Sequence, residues 1–193
     1  MKNVNMIIVG VGGQGTLLTS KIIGNAALKE SYHVKVSEVH GMSQRGGSVI
    51  TYVKLGSSVD SPLVEKNEAD IIIAFEKLEA LRWIEYLKKG GSLVVNDQQI
   101  NPMPVITGRE KYPDNIIEKL RHMCGYEKVI AVDALKIAKE LGNTRVVNLV
   151  LVGILARLMP FSKEIWLESI KESVPTKYYD VNKKAFEVGF GLM

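Results

Sequence analysis

The sequence predicts an α/β fold with a mixed sheet, and three observations carry that reading. Val4 to Val9 is an unbroken apolar run that ends in "GVGGQG", after which Leu18, Ile22 and Ala26 recur four apart. Such a run suits a strand buried on both faces, and the four-residue spacing marks one stripe of a helix. Next, "HVKVSEV" and "SVITYVKLG" read as two strands separated only by a short polar stretch with no room for a crossover helix. The second of them is therefore expected to run antiparallel to the first. Finally, from roughly residue 133 to 193 the pattern is helical, with Pro160 and Pro175 dividing the segments. Together these describe one domain over residues 1–193: Rossmann-like at its start, three-layered, with a helical C-terminal part.

The elements follow in order. Strand, glycine turn, helix and strand within about 35 residues make a βαβ unit, expected to close with parallel strands. "ADIIIAF" is a buried strand. "EKLEALRWIEYLKKGG" is expected to be helical throughout, with Leu78, Leu81, Ile84 and Leu87 on one stripe. Lys88 and Lys89 would complement its carbonyl end and Gly90 would supply a left-handed cap. "SLVVND" is a strand, "NPMPVITG" an extended segment, and "KVIAVDA" the last strand. No linker, repeat or charge block divides the chain.

Composition narrows the function classes. With 46% hydrophobic and 24% charged residues the chain is an ordinary globular one. A net charge of +4 without a basic stripe interleaved with aromatics argues against a nucleic-acid surface. The longest apolar stretch, "VVNLVLVGILARLMPF", is interrupted by Asn148, Gly153 and Arg157. It falls short of the roughly 20 residues that span a membrane. The N-terminus has no signal-peptide pattern. Cys124 is the single cysteine, so a reducing, cytoplasmic setting is expected, as is the absence of an iron–sulfur cluster, which needs about four thiolates. His33, His40 and His122 show no zinc-ligand spacing with it, and no metal or catalytic residue is assigned.

Gly10, Gly12 and Gly15 fit G-x-G-x-x-G between a strand and a helix, and Gly13-Gln14 lies inside the motif. Small residues let backbone N–H groups approach an anion, and the helix start adds about half a positive charge. Glu38, at the end of the second strand, stands where a ribose-binding acid would. The residues alone thus leave open a nicotinamide-dependent dehydrogenase, another phosphate ligand, or a non-catalytic nucleotide-sensing module. The second motif, Ser43, Gln44, Arg45, Gly46 and Gly47, sets a fixed cation on a loop of little bulk. It is expected at the same sheet edge as the glycine turn, as an anion or partner contact. His40 reads as a hydrogen-bonded loop histidine and Asp133 as a helix N-cap. Asp97 has no assigned role, Cys124 reads as an inert thiol, and Tyr178, Tyr179 and Phe186 read as packing.

"GVGGQGTLLTSKIIG", "SEVHGMSQRGGSV", "VDALKIAKELGNTRVVNLVLVGILA" and "VNKKAFEVG", in this order and over essentially the whole chain, resemble the γ subunit or γ domain of the 2-oxoacid:ferredoxin oxidoreductases. The likeness is greatest to the small β subunit of the indolepyruvate branch. Many relatives have Tyr-Gly-Pro-Glu where His40-Gly41-Met42-Ser43 stands, a departure that favours that branch. The resemblance implies a heteromeric, anaerobic, cytoplasmic enzyme. It would convert an aryl pyruvate, coenzyme A and oxidised ferredoxin to an aryl-acetyl-CoA, carbon dioxide and reduced ferredoxin. Thiamine diphosphate and the iron–sulfur clusters would lie on a larger α subunit, and ferredoxin would be met through the complex. This chain would hold no cofactor alone, with Gly10, Gly12, Gly13, Gln14, Gly15 and the second loop at the coenzyme A side or the subunit interface.

Overall fold

The computed structural model describes residues 3–40 and 46–193. Its sheet has six strands, of which the first three come from the N-terminal third. β1 (Val4–Val11) leads through the glycine turn into α1 (Thr16–Lys29), β2 (His33–His40) and β3 (Ser48–Gly56). β4 (Ala69–Ala74), α2 (Lys77–Trp83), a 3-10 turn at Ile84–Tyr86 and β5 (Leu87–Asn96) follow. After α3 (Met103–Ile106), α4 (Ile116–Cys124) and β6 (Val129–Val132), the chain is helical. It runs through α5 (Ala134–Glu140), α6 (Val147–Leu158), α7 (Lys163–Ser173) and α8 (Tyr179–Phe190).

The strand order is β2-β3-β1-β4-β5-β6. β3 is antiparallel to both β1 and β2, as the short connection predicts, and β4, β5 and β6 continue from β1 in parallel. One expectation needs correcting. β1 and β2 run in the same direction but are not neighbours, because β3 inserts between them and takes the hydrogen bonds of both. β1 is apolar throughout because it is central: Met6 and Ile8 face one helical layer, while Ile7 and Val9 face the other. The first layer holds α1 and α5 to α8, the second α2 and α4. This is the expected three-layer arrangement.

Two further expectations fail locally. The helix expected over residues 76–91 ends at Trp83, and strand β5 already begins at Leu87. Ile84 and Leu87 are buried in either conformation, so the apolar spacing does not distinguish them. What decides is pairing: Leu87 sits opposite Ala69, and Lys88 forms an ion pair with Asp70. Gly90 does take the left-handed φ of +79°, but inside a bulge between the Leu87 and Ser92 pairings rather than at a helix cap. The segment "NPMPVITG" is not wholly extended either. Pro102 is the N-cap of α3, and Pro104 sits at its start, where a missing N–H costs nothing. Helix α4, which the sequence reading does not assign, is short and buries Ile116 and Leu120 against the second layer.

Among the described residues no helix is long and apolar enough to cross a membrane, and no group of three His, Cys, Asp or Glu is placed to hold a metal.

Candidate functional site

The glycine turn sits at the carboxyl end of β1, and its conformation follows from close approach. A side chain on Gly10 would press on Phe75 Cβ at 3.0 Å and on Gln14 Oε1 at 2.9 Å. Gly13 and Gly15 have φ of +100° and +89°, the left-handed region in which a Cβ is strained. Gly15 is the N-cap of α1 and supplies no side-chain acceptor, so the first amides of that helix have no intrahelical partner. Both ends of the Gln14 amide are engaged. Its Oε1 accepts from Val11 N at 2.7 Å, and its Nε2 donates to Phe75 O at 3.1 Å. That side chain therefore bridges the ends of β1 and β4.

The two glycine loops meet, as the sequence predicts. Gly12 N donates to Gly47 O at 2.9 Å, and Gly46 is left-handed with φ +79°. Ser43, Gln44 and Arg45 lie outside the described residues. Beneath this loop, Ser48 donates to Glu79 on α2, and Arg82 approaches the same carboxylate at 3.5 Å. Sequence alone does not single out Glu79. A glutamate three residues beyond an N-cap reads as an ordinary helix surface position, yet this residue is 5% exposed. Burial, with the neighbouring Glu76, pushes its carboxyl above the usual 4.5, against the opposing pull of Ser48 and Arg82. The folded protein thus holds this proton more tightly than the unfolded chain. The contribution is full below about pH 4.5 and is lost as pH rises through the folded value. Glu79→Gln keeps an acceptor for Ser48, so the variant should gain on the wild type in melting temperature between about pH 4 and about pH 7. Parallel melting profiles would refute the assignment.

Glu38 is not an open ribose acid. Its Oε2 accepts from Thr16 Oγ1 at 3.3 Å and from Thr51 Oγ1 at 3.1 Å, tying α1 to β3. With His40, Gly12, Gly13 and Val49 it lines a cleft of about 460 Å³ on the β2–β3 side of the turn. A second cleft of about 460 Å³ opens on the other side, between the turn, Gln98 and the start of α6.

A chain of buried amides and carboxylates supports this second cleft, and most of it carries no local sequence signal. Asn96, fully buried, donates to Phe75 O at 3.1 Å and to Gln98 Oε1 at 2.9 Å, and accepts from Ala134 N at 3.0 Å. Its one signal is a polar residue closing a buried apolar strand; the neighbouring Asp97 is exposed and pairs with Lys77 at 3.3 Å. Glu76 is 1% exposed and accepts from Glu79 N, Ile100 N and the Tyr112 hydroxyl. Burial, together with that carboxylate beside it, holds the Tyr112 hydroxyl protonated well beyond the usual phenol range. Asn148, 2% exposed, lines the cleft beside Gly15, and its Oδ1 has no hydrogen-bond partner among the described residues. A buried polar atom left in that state costs about 1–3 kcal/mol.

The remaining candidates are structural. Asp133 caps α5 by accepting from Lys136 N at 2.9 Å. Phe186 is fully buried, Tyr179 packs against the same core, and Tyr178 lies under Lys177. Cys124 is half-buried on the other face, where burial raises its thiol pKa and keeps it protonated.

Residues 5–192 match the family model described as pyruvate ferredoxin/flavodoxin oxidoreductase. The chain belongs to that family. It is 47% identical to the indolepyruvate oxidoreductase subunit IorB of Pyrococcus horikoshii, over 98% of this chain and 95% of the relative. The IorB subunit of Archaeoglobus fulgidus is 42% identical, over 96% and 93%. Among solved structures, the 2-oxoglutarate:ferredoxin oxidoreductase of Magnetococcus marinus, determined with 2-oxoglutarate, coenzyme A and succinyl-CoA bound, superposes with a TM-score of 0.74. The likeness covers all of this chain and 31% of that one, at 21% identity, and shows a shared fold. The sheet departs from a dinucleotide-binding order, in which a parallel strand would stand where β3 does.

Proposed function

We propose that the chain is the small subunit of a coenzyme A-acylating arylpyruvate:ferredoxin oxidoreductase. In this reading it works in a cytoplasmic complex with a larger α subunit, which bears thiamine diphosphate and the iron–sulfur clusters and meets ferredoxin. The observation that carries the proposal is near-full-length similarity, at 37–47% identity, to four subunits named for indolepyruvate oxidoreductase. A single cysteine fits this division, since the chain lacks the thiolates for a cluster.

The chemistry at the 2-oxoacid carbon belongs to thiamine diphosphate when the partner holds it. This chain's share is binding and shape. The glycine turn offers unpaired helix-start amides to a phosphate of coenzyme A. The second loop, Ser43 to Gly47, adds the Arg45 guanidinium for an anion or a partner carboxylate. The bond between Gly12 and Gly47 makes the two loops one unit, so a partner seated on either would position both.

The test is anaerobic purification of the tagged chain from its own source. A large partner containing thiamine diphosphate and iron, with coenzyme A-dependent oxidation of indolepyruvate, is the expected result. A chain recovered alone, or a complex inactive on every aryl pyruvate, would overturn the proposal. In that complex Arg45→Ala should raise the KM for coenzyme A about tenfold or weaken assembly to a similar degree, the scale of one charge-assisted hydrogen bond. Thiamine content per large subunit should stay unchanged. Unaltered coenzyme A kinetics and assembly would remove Arg45 from the site.

A further inference from the structure

Two buried glutamates open helix α2, and only one of them is needed by the helix. Glu76 is its N-cap, accepting from Glu79 N at 2.9 Å. Glu79 stands one turn further in, and its carboxyl receives the Ser48 hydroxyl from the start of β3. Arg82, on the same helix, approaches that carboxyl at 3.5 Å, but its own side chain is about half exposed, so water screens much of its charge. Burying a carboxyl is costly unless it is bonded. Among the described residues, the one bond that reaches Glu79 from outside its own helix comes from Ser48.

Ser48 is where that bond has leverage. It is the first residue of β3, and the pairing of β3 with β2 ends one residue later, at Val49 opposite His40. On the other side Ser48 lies opposite Val11, and the preceding Gly47 gives its carbonyl to Gly12 N at 2.9 Å. Both of those ties run to the glycine turn. Glu79 supplies the tie to the second helical layer, toward which Ser48 and Ile50 point by the alternation of the strand. The other end of the loop is held separately, where Glu38 accepts from Thr16 and Thr51. Arg45 precedes Ser48 by three residues, so the chain keeps the two within roughly 10 Å of each other.

We propose that Glu79 is a positioning residue: through the Ser48 hydroxyl it fixes the downstream stem of the second loop, and with it the place from which Arg45 meets an anion or a partner carboxylate. The contact made by Arg45 rests on the function proposed above; the tether between Glu79 and the stem does not. Glu79 acts only through Ser48. The hydrogen bond, rather than the charge, carries the role, so an uncharged acceptor at this position should serve as well.

The tether is read in the full chain by the rate of tryptic cleavage after Arg45, which follows the population of the locally opened loop. Ser48→Ala should raise that rate about three- to tenfold, the scale of one hydrogen bond, and Glu79→Leu should do the same. Ser48→Thr and Glu79→Gln, which keep the donor and an acceptor, should cleave at the wild-type rate. The double variant of Ser48→Ala and Glu79→Leu should cleave no faster than either single one. Cleavage after Lys66, on the exposed loop at the opposite end of the sheet, is the control and should not change. In the purified complex Ser48→Ala should raise the KM for coenzyme A, or weaken assembly, by a similar factor with kcat unchanged, and should do neither in an Arg45→Ala background. Ser48 is only half-buried, so Ser48→Ala and Ser48→Thr decide the matter even where Glu79→Leu does not fold. An unchanged cleavage rate in Ser48→Ala, or single effects that multiply in the double variant, would overturn the tether. Faster cleavage with unaltered coenzyme A kinetics and assembly would uphold the tether and refute the part given to Arg45.

Discussion

Gly189→Ala should lower the melting temperature steeply, because α6 and α8 cross with their backbones in contact. A Cβ on Gly189 would lie 2.0 Å from Val150 O and 2.8 Å from Val150 C, and one on Gly153 would lie 2.2 Å from Phe186 O. These neighbours are backbone atoms inside helices, so no rotamer change relieves the clash. The helices must separate, which opens the packing of Leu149, Val150, Ile154 and Phe186 in the larger core. Overpacking typically costs about 1–3 kcal/mol, and a clash with fixed backbone belongs at or above the top of that range. For a chain of this size about 3 kcal/mol corresponds to a drop of roughly 6–12 °C. Gly191→Ala is the control: its Cβ would find its nearest neighbour at 3.5 Å, and its φ of −82° suits any residue. That variant should stay within about 0.5 kcal/mol of wild type. Equal melting temperatures for Gly189→Ala and Gly191→Ala would mean that the two helices do not meet at these glycines.

The contrast between those glycines shows what is legible in the sequence. Gly10, Gly12 and Gly15 announce themselves because strand, turn and helix are contiguous, and local spacing is enough to recognise them. The antiparallel β3 is equally accessible, since a short connection excludes a crossover. Gly153 and Gly189 carry no such signal: each is one small residue in a helix, and its reason lies far along the chain, at Phe186 for Gly153 and at Val150 for Gly189. The same distance hides the polar framework of the site. Gln14 finds Phe75 across 61 residues, Asn96 finds Ala134 across 38, and Tyr112 finds Glu76 across 36. Hydropathy patterning fails for a different reason at residues 84–91. Ile84 and Leu87 are buried whether they sit on a helix or at a strand start, so only the partner strand β4 distinguishes the two. The meeting of Gly47 with the glycine turn is legible, because both glycine motifs adjoin strands of one sheet. The cleft on the other side of the turn is not, because Arg145 and Asn148 reach it from the helical C-terminal part.

Asn96→Leu tests whether that framework or the glycine turn alone sets the site. The substitution keeps the branched outline of a fully buried side chain, adds the bulk of two methyl groups, and removes three hydrogen bonds. Phe75 O retains its bond from Gln14, whereas the Ala134 amide, at the buried start of α5, loses its acceptor. An orphaned buried group costs about 1–3 kcal/mol, and the net worth of each further lost bond is about 0.5–1.5 kcal/mol. A loss of about 3 kcal/mol is expected, hence a melting temperature roughly 6–12 °C lower. Freed of Asn96, Gln98 and the start of α5 have no fixed distance from the turn, so the KM for coenzyme A of the complex should rise as stability falls. Gln99→Ala, which removes an exposed side chain bonded among the described residues only to Asn101, should change neither. An unchanged KM for coenzyme A in a destabilised Asn96→Leu complex would show that the turn and α1 suffice for this chain's contact. A raised KM together with lost stability would show that the cleft depends on the whole carboxyl edge of the sheet, from β1 through β4 and β5 to the start of α5.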